Sequence, residues 1–418
     1  MTAAVYAIAT MDTKGDELAY VAHCMRRLGV VVKLIDVSTL GAPIVQPNVT
    51  RDQVLNASGQ ACPLGGDRGQ AITVMGSALR DFLLSEYDRG DVCGVLGLGG
   101  SGGTALISTA MRALPIGLPK LLVSTMASGN TAPYVDCSDI TMMYSVVDVA
   151  GLNRVSIIVL ANAAHAMAGM VSHSIQVSDA KPVVGMTMFG VTTPCVTAVR
   201  KQLERCGWDC LVFHATGAGG RAMEKLVESG MIQAVLDITT TEVADEVVGG
   251  ILPAGKERFD RILRSHIPYV ISLGALDMVN FGAIDTVPEK FKNRKLHVHN
   301  SQVTLMRTTP DENNAFAEWI ANKINRATSP VAVLIPEKGV SALDAEGQPF
   351  FDPGADKMLF DAIELNLHQD GIHQVQRHAL HINDPRFADE LVKAFLVEVE
   401  RHSQSKNVTS SECMGQSS

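Results

Sequence analysis

The segment AVYAIATMDTKGDELAYVAHCMRRLGVVVKLIDVS (4–38) decides the fold. AVYAIAT (4–10) is short, apolar and rich in β-formers, so it reads as a buried strand. Polar residues and a glycine follow at Asp12 to Asp16. Glu17 to Leu28 then carries helical spacing, with Leu18, Val21, Ala22 and Met25 on one side. VVVKLIDVS (30–38) is the next strand. Strand, turn, helix and strand within about 35 residues make a βαβ unit, whose crossover is right-handed.

Outward from this unit, Pro43, Pro47, Pro63 and GGDRG (65–69) predict a long irregular excursion over 41–70, the kind of loop that carries binding or contact work. A helix over 70–89, the strand DVCGVLGLGG (91–100), a helix from Thr104, the strand KLLVST (120–125) and the loop MASGN (126–130) come next. An almost continuously apolar helix over 153–172 is expected to lie between layers. The alternation then restarts with strands at 181–190, 209–216, 234–239, 269–275, 295–300 and 331–336. Helices are expected at 194–206, 220–229, 311–325, 355–368 and 385–401. Uneven spacing disfavours a (β/α)₈ barrel. The expectation is two Rossmann-like α/β domains with open parallel sheets, 1–178 and 179–402, an interdomain cleft, and a small polar tail at 403–418 read as disordered.

Composition bounds the function. The 418 residues are 46% hydrophobic and 19% charged, which supports real cores and excludes wholesale disorder. Net charge is −9 and the only dense basic run is KFKNRK (290–295), so a nucleic-acid partner is not expected. No apolar run reaches 18 residues and the first ten residues lack a secretory pattern, so a cytoplasmic protein without a membrane span is expected. The eight cysteines show no CxxC spacing and read as free thiols.

Two glycine loops carry the chemistry. Gly97-Leu98-Gly99-Gly100-Ser101-Gly102-Gly103-Thr104 lies between an apolar strand and a helix, where backbone N–H groups and the helix dipole favour an anion. It lacks the GxxxxGK[ST] of a Walker loop and follows a later strand than the usual dinucleotide fingerprint. Its packing alternative is a close helix–strand junction. In a parallel sheet other strand ends share that edge, which brings in Asp12, Thr13 and Lys14, then Ser128 and Asn130, with Asp36 as a ribose acceptor. The second loop, His214-Ala215-Thr216-Gly217-Ala218-Gly219-Gly220-Arg221, offers Gly217, Gly219, Gly220 and Arg221 to a carboxylate or phosphate. His214, His299, Glu242 and Asp277 are the catalytic candidates for proton transfer, with Asn300 and Arg307 as further substrate contacts. His297 and His299 share a strand face, but HxH alone is a weak metal pattern and no metal site is assigned.

ATMDTKGDE (9–17), GLGGSGGT (97–104), GMTMFGVTTPCV (185–196), VFHATGAGGRAME (212–224), SLGALDMVNFG (272–282) and HVHNSQVTLMRTT (297–309) together resemble the UPF0261 family of Tm-1-like ATP-binding domain proteins, over about residues 3–400. The resemblance implies two Rossmann-like subdomains and ATP, with or without Mg²⁺, as cofactor. In a plant virus-resistance member the module is fused to a barrel resembling phosphoenolpyruvate-using enzymes, so a separately encoded barrel protein of that kind is an implied partner. Homo-oligomerisation is expected on general grounds. Three functions stay open: a nucleotide-binding protein that activates a small acid in the interdomain cleft, an ATP-independent lyase, isomerase or hydrolase using His214, Arg221 and His299, and a non-catalytic regulatory or protein-binding module.

Overall fold

The computed structural model describes residues 3–59, 67–173 and 181–414, with side chains through Gln404. Pro63 and the boundary at 178 lie outside the described residues. The chain divides into two compact units, 1–178 and 179–418.

The first unit runs β1 (Ala4–Ala9), α1 (Met11–Arg27), β2 (Val32–Asp36), α2 (Arg51–Ser58), α3 (Arg68–Asp88), β3 (Val92–Gly99), α4 (Ser101–Ala113), β4 (Lys120–Ser124), α5 (Ala132–Val135), β5 (Thr141–Tyr144) and α6 (Arg154–Ser172). Its five strands pair in parallel in the order β2-β1-β3-β4-β5. Strand alternation sends Tyr6 and Ile8 to one core with α3 and α4, and Val5 and Ala7 to the other with α1 and α6. Both faces are covered, which explains the unbroken apolar run of β1.

Three local expectations change. The turn expected at 12–16 is helical, because α1 starts at Met11 and only Lys14, at φ −131°, leaves helical geometry. The excursion over 41–70 contains α2, started by a capping box in which the Thr50 side chain accepts from the Gln53 N–H and Gln53 answers the Thr50 N–H. The helix α6 is buried along one side, through Ser156, Leu160, Ala163, Ala164, Met167 and Ala168, while Val155, Ile157 and Ile158 are exposed, so it lies on the sheet and not between layers. By length and composition α6 is apolar enough to cross a membrane.

The second unit runs β6 (Val183–Met188), α7 (Thr193–Arg205), β7 (Asp209–His214), α8 (Ala218–Glu228), β8 (Ala234–Thr239), α9 (Thr241–Val248), α10 (Asp260–Ser265), β9 (Tyr269–Gly274), β10 (Met278–Phe281), β11 (Leu296–Asn300), β12 (Val303–Arg307), α11 (Pro310–Ile324), β13 (Val331–Pro336), α12 (Pro353–Asn366), β14 (His373–His378) and α13 (Pro385–Met414). Six strands form a parallel sheet in the order β14-β13-β9-β8-β6-β7. With β6 as its first strand, this is the same winding as the first unit with one strand more. Helices α7 and α13 cover one face and α8 to α12 the other.

The strand at 295–300 does not join that sheet. It pairs antiparallel with β12, which also pairs with β10, making a separate three-stranded layer. The last helix continues past Arg401 to Met414, where a disordered tail was expected. No Gly or Pro occurs between Pro385 and Gly415 to stop it.

Candidate functional site

In the order β2-β1-β3-β4-β5 the chain reverses direction of winding between β1 and β3. Ligands of open parallel sheets bind beyond the carboxyl ends of the strands at that switch point. A cavity of about 460 Å³ lies there. Thr10 and Thr13 reach it from the end of β1, Gly100 to Gly103 from the end of β3, and Thr125 from the end of β4. Two cations line it, Lys14 and Arg68, and one carboxylate, Asp148.

The glycine loop divides into two jobs. A Cβ on Gly97 would stand 2.7 Å from both Ile107 Cγ2 and Leu122 Cδ1, and one on Gly99 would stand 2.5 Å from the Thr104 N. These two glycines allow the close helix–strand junction. Gly100 is different, because a Cβ there meets nothing within 4 Å and faces open space. Gly100 is the N-cap of α4 and supplies no side-chain cap. The first helical bond, Thr104 N–H to Gly100 O at 2.8 Å, leaves the N–H groups of Ser101, Gly102 and Gly103 ahead of it. Three donors and the positive end of a 13-residue helix therefore face the cavity. Arg68 Nη2 lies 3.9 Å from where a Gly102 Cβ would stand.

Of the other residues the sequence assigned to this site, Thr13 and Lys14 line the cavity, and Lys14 Nζ also donates to the Val149 carbonyl at 2.7 Å. Thr104 is fully buried and its hydroxyl meets Ser124 Oγ at 2.6 Å, so it stitches α4 to β4. Asp12 accepts from the Gly41 N–H at 3.0 Å and fixes the loop after β2. Asp36 is 1% exposed, and its Oδ1 accepts from the Met11 N–H at 3.2 Å and the Ser38 N–H at 2.9 Å. It is a buried loop anchor. Ser128 and Asn130 are exposed and do not line the cavity; the Asn130 side chain closes a turn onto the Ala132 N–H at 3.2 Å.

The second unit treats its glycine loop in the opposite way. Glu242 Oε1 accepts from the Gly217 N–H at 2.7 Å and the Gly220 N–H at 3.1 Å. A protein carboxylate thus occupies the anion position that the sequence reserved for a substrate. A Cβ on Gly219 would run into the His214 carbonyl, and one on Gly220 into the Glu242 carboxylate, so both glycines serve close approach. Burial pushes the Glu242 carboxyl up despite the adjacent Arg258. At this unit's own switch point, between β6 and β8, Thr192 and Thr239 are buried and their hydroxyls meet at 2.7 Å.

The remaining candidates separate. His214 is exposed at the end of the edge strand β7, whereas His299 and Asn300 are exposed on β11 in the antiparallel layer. Arg221 is half-buried in the first turn of α8. Asp277 and Arg307 do come together, but inside the protein. Arg307 is 4% exposed and donates to Asp356 Oδ1 at 2.6 Å and to the Phe350 carbonyl at 2.7 Å. Asp277 is fully buried and accepts from Ser341 Oγ at 2.7 Å, and burial raises its carboxyl to about 6. Among the described residues no three His, Cys, Asp or Glu side chains are arranged to hold a metal ion.

Comparison with known proteins agrees with the two units. The N-terminal domain of the uncharacterised protein family UPF0261 matches residues 3–176, and its C-terminal domain matches residues 181–398. The chain belongs to the UPF0261 family. A UPF0261 protein of Rhizobium meliloti is 53% identical over 94% of this chain and 98% of its own length. The ToMV resistance protein Tm-1(GCR237) of Solanum lycopersicum is 48% identical over 94% of this chain, which spans 55% of that protein. Among solved structures, the UDP-GlcNAc 2-epimerase of Methanocaldococcus jannaschii aligns over 95% of this chain and 93% of its own at 9% identity, with a TM-score of 0.22.

Two polar centres of this UPF0261 chain escaped sequence reasoning. Arg68 opens α3 and Asp148 lies in the loop after β5, neither within a motif, and only the switch-point rule brings them to α4. Arg258 is 2% exposed in the second unit and bonds three carboxylates, Glu242 at 3.0 Å, Glu224 at 3.2 Å and Asp237 at 2.7 Å. A lone arginine in a glycine-containing loop gives no local sign of that role.

Proposed function

We propose that the first unit binds the phosphate groups of a nucleotide, with ATP as the ligand that the family resemblance implies. One observation carries the reading. The cavity at the switch point gathers the free N–H groups of Ser101 to Gly103, Lys14 and Arg68 around open space at Gly100. Backbone N–H groups cradle phosphate oxygens, the helix dipole favours their charge, and the two cations neutralise it. The hydroxyls of Thr10, Thr13 and Thr125 line the same space. Of the two glycine loops this is the one whose anion position is open, since Glu242 fills the other. Activation of a small acid is the reaction such a nucleotide could serve. In the second unit, Glu242, Asp277 and Arg307 are held in internal bonds, so we centre the proposal on nucleotide binding.

The test is isothermal titration of the full chain with ATP, with and without Mg²⁺, beside Gly100→Asp. Gly100 has φ −80° and room for a side chain, so aspartate fits without strain and sets a negative charge in the cavity. The variant is expected to lose at least roughly tenfold in affinity while keeping its circular dichroism spectrum. Equal affinity in the two proteins, or no binding to wild type at millimolar ATP, overturns the reading.

A further inference from the structure

We propose that the segment 144–148 of the first unit takes the ribose and base of a ribonucleotide, with Tyr144 as the stacking face and Asp148 accepting the sugar hydroxyls. The proposal rests on the phosphate reading above and extends the same site outward. A second hollow of about 340 Å³ is lined by Thr125 and by every residue from Tyr144 to Asp148. It shares Thr125 and Asp148 with the cavity at α4. A ligand whose phosphates lie on α4 therefore passes Asp148 to reach the second hollow.

The chemistry of the shared residue selects what passes it. Asp148 is exposed, and its carboxylate accepts no hydrogen bond from any described residue. An ionised carboxylate is an acceptor only, so beside a phosphate it repels. Vicinal ribose hydroxyls are donors, and a carboxylate beyond the phosphate site is the usual way a parallel-sheet fold holds them. Sequence reading assigns that role to Asp36, which is buried and already bonded to the backbone of Met11 and Ser38.

The backbone here is held in an unusual form. Val146 is β-branched, 57% exposed and at φ +66°, a region such residues avoid. Val147 N–H donates to the Ser145 carbonyl at 2.7 Å, closing a three-residue turn around it. Ser145 braces the turn, with its hydroxyl on the Val147 carbonyl at 2.6 Å and its N–H on the Ser124 carbonyl at 3.2 Å. Lys14 adds its bond to Val149, which links the phosphate side to the turn. Strain of this kind persists where surrounding bonds over-determine it and clusters at ligand sites. Beside the turn, Tyr144 leaves an aromatic ring 43% exposed at the end of the edge strand, the type of face on which bases stack.

The experiment titrates ATP, 2′-deoxy-ATP and inorganic tripolyphosphate into the full chain in EDTA. Wild type, Tyr144→Ala and Asp148→Asn are compared. Wild type is expected to prefer ATP over tripolyphosphate by roughly tenfold or more, a gap that Tyr144→Ala closes. It is expected to prefer ATP over the deoxy analogue by several-fold to about tenfold, a gap that Asp148→Asn closes. Equal affinity of wild type for ATP and tripolyphosphate overturns this proposal and leaves the phosphate reading standing. So does an equal loss for all three ligands in either variant. A repeat with Mg²⁺ in which Asp148→Asn weakens tripolyphosphate as much as ATP would make Asp148 a metal contact and also overturn it. Binding of none of the three removes both readings together.

Discussion

Arg258→Met is expected to unfold the second unit under conditions in which the wild type is fully folded. Arg258 gives each of its three nitrogens to a different buried carboxylate, Glu242, Glu224 and Asp237. Tyr269 adds a hydroxyl to Asp237 at 3.0 Å, and the Phe259 ring lies 4.6 Å from the guanidinium carbon. Burial works against the charge of Arg258, but the three carboxylates outweigh it and hold the guanidinium well above its usual range. The methionine removes the cation that the three acids share and leaves them, among the described residues, with no ion-pair partner. Breaking a buried pair costs about 3–5 kcal/mol. Domains of this size are stable by only about 5–15 kcal/mol. Both tryptophans of the chain, Trp208 and Trp319, lie in the second unit, so tryptophan fluorescence reads its unfolding alone.

The size of that loss should depend on pH in a definite direction. Burial raises the Glu224 and Glu242 carboxyls above their ordinary value. As pH falls they protonate early, and the charge left behind by the missing arginine shrinks. The gap between wild type and Arg258→Met is therefore expected to narrow toward acid. Arg258→Lys retains a point charge without the fork and should fall between the two. A melting temperature for Arg258→Met within roughly 2 °C of wild type would sink this account, since even about 1 kcal/mol moves it by about 2–4 °C.

These cases show which parts of the molecule its sequence spells out. The parallel layers were legible because each βα step leaves a local record: an apolar run, a polar turn and a 3.6-residue stripe. What escaped depends on pairing over distance. β10 and β12 are only four and five residues long and acquire meaning by pairing antiparallel in a layer of their own. Asn280, in the middle of β10, looks like a loop residue, yet Asp245 binds both its N–H at 2.6 Å and its side-chain amide at 2.8 Å.

The glycine loops teach the same lesson about sites. GLGGSGGT and HATGAGGR present equivalent local chemistry, strand, glycines and helix start. Their difference lies 25 residues downstream of Gly217 in Glu242, whose carboxylate enters one loop and, among the described residues, has no counterpart bonded to the other. Local sequence supplied the donors of an anion site but could not say whether the protein itself had filled it. Gly97 and Gly99 likewise answer to packing and Gly100 to open space, a division that only the positions of Ile107, Leu122 and Thr104 reveal.

Asp344→Asn is expected to make the second unit more resistant to alkali than the wild type. Arg307 is the cation for three buried acids, with Asp356 at 2.6 Å, Asp344 at 3.6 Å and the fully buried Asp277 beside them. One guanidinium balances one carboxylate. Burial, followed by the charges of Asp277 and Asp356, raises Asp344 to about 9, so at neutral pH it holds its proton. Its Oδ2 accepts from the Val340 N–H at 2.9 Å, a bond that an asparagine oxygen reproduces. Because the folded value lies above the unfolded one of about 3.9, the contribution of this acid is complete below that value and is lost as pH rises toward 9. Over that window one such group removes up to about 1.4 kcal/mol per pH unit. Asparagine carries no such titration, so the stability of the variant relative to wild type should climb from pH 5 to 9, read by urea unfolding followed through the two tryptophans. A difference that stays constant across that range would show that Asp344 does not hold the proton.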